Sequence, residues 1–274
     1  MKSRDGLIMA LAKWSLRVVF LVFSVLPVYA CLIIALTPLG NVMEPQLYPK
    51  FWAIANFAVS FKYIVFRMIN SLVYSLFSVL FVLVIAVPSA YVLARYRFRG
   101  REASLFGLLL TQMMAGIVIL PSIYTMYSRL KLVDSPYGLV FVLMGANLAL
   151  AVWVLYGFFQ TLPKEIEEAA LIDGCSYVGT LIRVIVPISG PGIAVGAIFV
   201  FINSYNEFVI PLFLLTDARL QTITMALYSL LTDTTMRWEL LAGCSLVVLI
   251  PPVVIFFLFE RYIVSGLTSG AVKN

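Results

Sequence analysis

Residues 167–192 read EEAALIDGCSYVGTLIRVIVPISGPG, a polar, Gly- and Pro-punctuated stretch inside a chain that is otherwise one apolar run after another. Of the 274 residues, 62% are hydrophobic and 12% charged, with a mean hydropathy of +1.03. A soluble domain carries about 25% charged residues. No soluble fold hides this much apolar surface, so the composition indicates an all-α polytopic membrane protein. The net charge of +6 comes without a basic stripe on a polar domain. It therefore argues against nucleic acid as a partner and reads as membrane orientation. The chain has no histidine, which excludes a His metal site and an imidazole proton relay. Cys31, Cys175 and Cys244 lie far apart, show no C-x-x-C spacing and read as small apolar residues. The N-terminus is basic, runs into an apolar segment and lacks a small-residue cleavage site. A retained first helix is expected.

A spanning helix needs about 20 mostly apolar residues. Six segments qualify: 16–36, 71–94, 105–126, 137–159, 193–215 and 240–259. The run ARYRFRGR after the second segment places Arg95, Arg97, Arg99 and Arg101 within seven residues. The positive-inside bias puts that loop in the cytoplasm. Both termini and the stretch 167–192 then also fall in the cytoplasm, and 12 of the 19 Lys and Arg residues lie on that side. Segment 37–67 holds Pro38, Pro45 and Pro49 and reads as an external loop or a short interfacial helix.

Several residues inside these segments need a reason to be there. Pro88, Pro121, Pro211 and the pair Pro251-Pro252 each remove a backbone donor. Such breaks survive in lipid where protein or a cavity surrounds them. Gly192-x-x-x-Gly196 is a small-residue packing face. The run FINSYNEF, residues 201–208, places Asn203, Tyr205, Asn206 and Glu207 within the fifth segment. A charge there costs several kcal/mol unless it faces a cavity or a partner. Helical spacing puts Asn203 with Asn206, and Ser204 with Glu207, on shared faces. Carboxamide, carboxylate and phenol groups suit a hydroxylated solute. The same groups equally serve helix–helix hydrogen bonds, gating or a salt bridge to another subunit. Asn147 in the fourth segment reads as packing glue.

The stretch from 162 to 190 is too polar to span. Pro163 and the acidic Glu165, Glu167 and Glu168 are helix-start signals. Ile166, Ala169, Ala170 and Asp173 recur at helical spacing, and Gly174 supplies a terminator or sharp corner. A second helix over 177–186, ending at Pro187, completes a helix–corner–helix whose Ala169-Ala170 patch is available for docking. A membrane-surface helix is the competing reading. The acidic first turn weakens it, because interfacial helices are usually rich in Lys and Arg.

These residues resemble the EAA loop of permease subunits of binding-protein-dependent ABC importers. That pattern is E-A-A, three residues, G, nine residues, then I-x-L-P. Here Glu168-Ala169-Ala170 is followed by three residues, Gly174, nine residues and Val184-Ile185-Val186-Pro187, with Val replacing the usual Ile and Leu. The Asp173-Gly174 pair is similar to the sugar-importer version. The segment from NSLVYSLF to ARYRFRGR resembles the start of the shared core. YNEFVIPL resembles the family's W-N-[DE]-F…P-L segment, with Tyr205 where Trp is common. ERYIVSGLTSGAVKN resembles the tail of the small maltose-permease type, ending in Asn274 where Gly is common.

The resemblance implies a type I ABC importer permease core with six transmembrane helices, a cytoplasmic EAA coupling helix and cytoplasmic termini. The implied division is an N-terminal helix and extracytoplasmic segment over 1–68, the core over 69–265 and a cytoplasmic tail over 266–274. Glu168 would be the polar anchor on the ATPase, Ala169 and Ala170 the close-packed patch, Asp173-Gly174 the corner and Pro187 the re-entry into the membrane. The tail from Ser265 to Asn274 would reach the ATPase dimer. The chain has no G-x-x-x-x-G-K-[ST] loop, so no ATP site of its own is expected. ATP and Mg would sit on a separate dimeric ATPase, and this chain would bind no cofactor or metal. The other implied partners are a second related permease in a heterodimer, an extracytoplasmic solute-binding protein, membrane lipid and a mono- or oligosaccharide. In the maltose type the sugar contacts lie mainly in the other subunit, so Asn203 to Glu207 would line the path or gate. The alternatives are a stand-alone secondary transporter or channel, motivated by Glu207 and the kinked helices, and an integral membrane enzyme. No internal repeat favours the first, and no Ser-His-Asp set favours the second.

Overall fold

A computed structural model describes the backbone of residues 2–38, 48, 52–113, 116–233 and 237–271 and, within these, the side chains of 13–262. Every regular element among the described residues is helical. In order they are α1 Lys2–Leu36, α2 Ala55–Arg95, α3 Arg101–Met113, α4 Gly116–Arg129, α5 Pro136–Thr161 and α6 Glu165–Ile172. Then come α7 Tyr177–Thr180, a π turn Leu181–Ile185, α8 Val186–Ile188, α9 Gly190–Asn206, α10 Val209–Leu214, α11 Ile223–Thr232 and α12 Trp238–Ala271.

Four of these are long and apolar enough to cross a membrane unbroken: α1 from Lys13, α2, α5 and α12 to Tyr262. The count reaches six if two bent pairs each make one span: α3 with α4, and Tyr177–Ile188 with α9, which meet at 79°. Two expected spans are not single helices. Segment 105–126 is divided into α3 and α4, which meet at 93°. Pro121 does not divide the two helices; it sits in the second turn of α4 and forfeits one backbone bond there. Segment 193–215 is divided at Glu207 and Phe208, where the backbone turns extended (Glu207 φ −64°, ψ 129°) before α10 begins. Segment 37–67 is also shorter as a loop than expected, because α2 already starts at Ala55 and runs for 41 residues. At about 1.5 Å per residue it is about 60 Å long, twice a hydrocarbon core. Pro88 and Pro251-Pro252 are carried inside α2 and α12. Of the tail, the backbone to Ala271 continues α12; its side chains and residues 272–274 lie outside the described residues.

The chain forms two compact units, Met1–Phe66 with Ala226–Ile250, and Arg67–Met225 with Pro251–Asn274. In the first, the Asn56 amide donates to the carbonyls of Ala35 (3.0 Å) and Thr37 (3.1 Å), tying the start of α2 to the end of α1. Cys244 is fully buried, and its thiol donates to the Ser60 carbonyl (3.6 Å).

The second unit is built on small residues. Val82, Ala86 and Ala90 recur every fourth position of α2, all fully buried, against Ala151, Val152, Leu155 and Phe159 of α5. Among lipid tails apolar burial gives helices no preference for one another, so close van der Waals contact must do so, and alanines allow it. A buried polar chain adds direction. Asn147 of α5 donates to the Leu143 carbonyl (2.8 Å) and to Ser204 Oγ of α9 (3.2 Å), and Ser204 donates to Ser78 Oγ of α2 (3.2 Å). Asn147 is thus the interhelical glue its position suggested. Gly192 and Gly196 both face α5, against Phe158 and Leu155, as a small-residue packing face should.

Candidate functional site

Two places bring the sequence-level candidates together. One is the corner between α6 and α8. Three glutamates stand in the first turn of α6, where the helix dipole favours them. The helix ends in a Schellman closure: Gly174 N–H donates to Leu171 O (3.1 Å) and Cys175 N–H to Ala170 O (3.0 Å). This closure needs a left-handed residue, and Gly174 sits at φ +87°. Ser176 then caps α7 by accepting from Gly179 N–H (3.1 Å). The second helix does not end at Pro187, as its sequence suggested. It widens into the π turn, where Val186 N–H reaches Leu181 O, and continues to Ile188. Pro187 occupies the first turn of α8, a position that tolerates a missing N–H.

The corner exposes Glu168, Ala169, Asp173, Gly174 and Pro187, while Ala170 is buried against the protein itself. The Ala169-Ala170 patch is therefore split between an outward and an inward residue. Ile172, Tyr177, Val178 and Ile182 are exposed on the same corner, with the Tyr177 ring edge-on to Tyr96 (centroids 6.2 Å apart).

Glu167, absent from the sequence-level candidates, is tied from behind. Its carboxylate accepts from Arg95 Nε, with which it forms a salt bridge, and from the Tyr91 hydroxyl (3.1 Å). Arg95 also donates to the Leu162 carbonyl (2.9 Å). Its neighbour Arg101 donates to Leu93 O (2.7 Å) and Tyr156 Oη (2.9 Å). The arginine run thus has an inner face, Arg95 and Arg101, and an exposed one, Arg97 and Arg99. The sequence marked the run as an orientation signal; it did not separate the two faces or name the partners.

The other place is a cavity of about 620 Å³ bounded by α3, α4, α5 and the α9–α10 break. Its polar lining includes Thr111, Gln112, Tyr127 and Glu207, among apolar residues such as Leu120 and Val142. Of the four path candidates only Glu207 lines it. Its Oε1 accepts from Val209 N–H (3.0 Å) and Ile210 N–H (3.2 Å), capping α10, while Thr224 Oγ1 donates to its carbonyl (2.9 Å). The expected pairing of Ser204 with Glu207 on one helix face does not form, because the helix stops between them. Ser204 turns into the polar chain with Asn147. Asn203 and Asn206 are exposed on α9, and Tyr205 is buried with its ring stacked on Phe201 (centroids 5.4 Å apart). Among the described residues no three Cys, Asp or Glu side chains cluster to hold a metal ion.

Comparison with known proteins places this arrangement. Residues 6–268 match the family model described as "Binding-protein-dependent transport system inner membrane component". The chain is 33% identical over 261 residues to the diacetylchitobiose uptake system permease protein DasC of Streptomyces coelicolor, covering 94% of this chain and 95% of that one. It is 33% identical over 207 residues to the trehalose/maltose transport system permease protein MalG of Thermococcus litoralis, covering 75% and 74%. Its fold is similar to a chain in the crystal structure of a bacterial ABC transporter involved in the import of the acidic polysaccharide alginate, with a TM-score of 0.79, 20% identity and coverage of 94% and 98%. With the family model matched over nearly the whole chain and a set of long apolar helices to carry it, this protein belongs to the binding-protein-dependent transport system inner membrane component family, the multi-pass permeases of ABC importers.

Proposed function

We propose that this chain is one of two permease subunits in an ATP-driven importer of a mono- or oligosaccharide. It crosses the membrane six times, through α1, α2, the bent pair α3–α4, α5, α9 with α10, and α12, with both termini and the α6–α8 corner in the cytoplasm. The exposed arginines of the run 95–101 support that orientation. A second related permease completes the path. A dimeric ATPase carries ATP and Mg, and an extracytoplasmic binding protein delivers the sugar. The sugar assignment draws on relatives named for diacetylchitobiose and for trehalose and maltose.

The observation that carries this reading is the corner itself. A short acidic helix, a left-handed glycine and a second helix present Glu168, Asp173 and exposed apolar side chains together. Apolar groups exposed outside a spanning helix call for a protein partner. In the proposed cycle the ATPase dimer closes on ATP and displaces the corner, with Glu168 as its polar anchor and Ala169 as the close contact. The displacement biases the spans between inward- and outward-open states, a two-state element with a ligand at each end. Glu207 offers its second oxygen to a hydroxylated solute in the path.

The test is assembly followed by uptake. The chain purified from its native membranes should carry an ATPase subunit. Glu168→Arg and Gly174→Trp should lose that subunit while the permease stays in the membrane at wild-type level. Full ATP-dependent uptake by both variants would overturn the coupling assignment. Uptake by the purified chain alone, driven by an ion gradient, would replace the importer with a secondary transporter.

A further inference from the structure

Glu167 and Glu168 are neighbours in sequence with opposite surroundings. Glu168 is exposed on the corner. Glu167 is enclosed: its side chain is 13% exposed and that of its partner Arg95 is 6% exposed. One guanidinium here joins three elements. It stands on the last residue of α2, donates to Leu162, the residue that ends α5, and pairs with the first turn of α6. Tyr91, one turn earlier on α2, takes the second carboxylate oxygen, so both oxygens are satisfied from the same helix.

A pair this enclosed is a poor choice for stability alone. Desolvation offsets most of its attraction, and apolar residues of similar volume often serve as well. Charge-assisted hydrogen bonds supply direction instead, because their geometry is narrow. Direction is what α6 lacks otherwise. It has eight residues and buries only Ala170, too little apolar contact to set its own angle on the bundle.

We propose that the Arg95–Glu167 pair, with Tyr91 as its second donor, is a positioning clamp. It joins α6 and the ends of α2 and α5 into one rigid block, so that a displacement of the corner is delivered to α2 and not absorbed by tilting of α6. Glu167 and Arg95 are positioning residues and touch neither the solute nor the ATPase. The inference rests on the reading of α6 as the coupling element.

The test uses the assembled importer, purified from native membranes and reconstituted in proteoliposomes with its binding protein carrying the sugar it holds on purification. Three quantities are read: ATPase subunit retained, melting temperature, and the stimulation of ATP hydrolysis by the binding protein. Glu167→Gln should retain the ATPase subunit and lose stimulation by about fivefold or more, the scale of an ordinary coupling between sites. The double variant R95M/E167M separates direction from stability. It should melt near the wild type and still lack stimulation. The reciprocal swap R95E/E167R, which restores a directed pair, should regain most of it. Wild-type stimulation in R95M/E167M would overturn the clamp. So would a swap variant that assembles without regaining stimulation, even where the apolar double variant fails to assemble. A wild-type chain that carries no ATPase subunit sinks the importer reading itself, and the clamp with it.

Discussion

Gly192 and Gly196 look equivalent in the sequence and are not equivalent in the fold. A Cβ built on Gly192 would lie 2.3 Å from the Phe158 ring, whereas one on Gly196 would lie 3.6 Å from Leu155, an ordinary contact. Gly192→Ala must push an aromatic ring out of the α5–α9 contact. It should destabilise the protein by about 1–3 kcal/mol, the usual cost of overpacking. Gly196→Ala should stay within about 0.5 kcal/mol of the wild type. Thermal unfolding of the two variants in the same detergent checks the contrast, and equal melting temperatures would refute it. Gly174 is constrained differently. A Cβ there meets nothing within 4 Å, so its requirement is the backbone angle alone.

At the scale of elements, two acidic residues act at helix ends and junctions. Glu207 marks a helix end by capping α10, and Asp134 joins two loops. The Asp134 N–H donates to Leu214 O (2.9 Å), and its carboxylate accepts from Thr216 Oγ1 and from the N–H groups of Thr216 and Asp217. Burial pushes this carboxyl up, but the donors from Thr216 and Asp217 outweigh it and hold the group below the usual carboxylate range. A depressed carboxyl stabilises the fold fully above its unfolded value and loses that contribution as pH falls through the folded one. Hydrogen exchange at the Thr216 and Asp217 amides, corrected for intrinsic rates, should therefore be flat at neutral pH and rise only below about pH 4. Asp134→Asn should raise it at neutral pH as well. A protection that ignores both changes would mean the loop junction is held by other contacts. The sequence carried a hint of this junction in Asp134-Ser135-Pro136, a turn and helix-start signature. Nothing local could name Thr216 as its partner.

For the whole molecule, transport requires a path and a drive, and Glu207 is the titratable side chain of the four path candidates that reaches the 620 Å³ cavity. It also caps α10, so Glu207→Ala confounds two roles. Glu207→Gln keeps a carbonyl oxygen for the cap and removes the charge. If the carboxylate meets the solute, the half-saturating concentration for uptake of the sugar bound by the purified binding protein should rise by about tenfold, as for loss of a charged hydrogen bond. Assembly with the ATPase should be unchanged. Uptake kinetics identical to the wild type would leave Glu207 as a helix cap alone.

The sequence by itself determined the class and the parts. Apolar runs of spanning length require helices in lipid, because helical backbone groups satisfy themselves. The spacing from Glu168 to Pro187 marked the corner, and Gly174 had to turn it because only glycine adopts that angle without strain. These features were legible because each depends on residues within a few turns of one another. The angle between α3 and α4, the break at Glu207, the π turn before Pro187 and the enclosure of Glu167 appeared only in the tertiary structure. Two of them show distant partners: Arg95 lies 72 residues from Glu167, and Thr224, which donates to the Glu207 carbonyl, lies 17 from it. A local pattern records which groups need partners; only packing decides which distant group supplies them, since a buried donor or acceptor left unpaired costs more than the bond itself contributes.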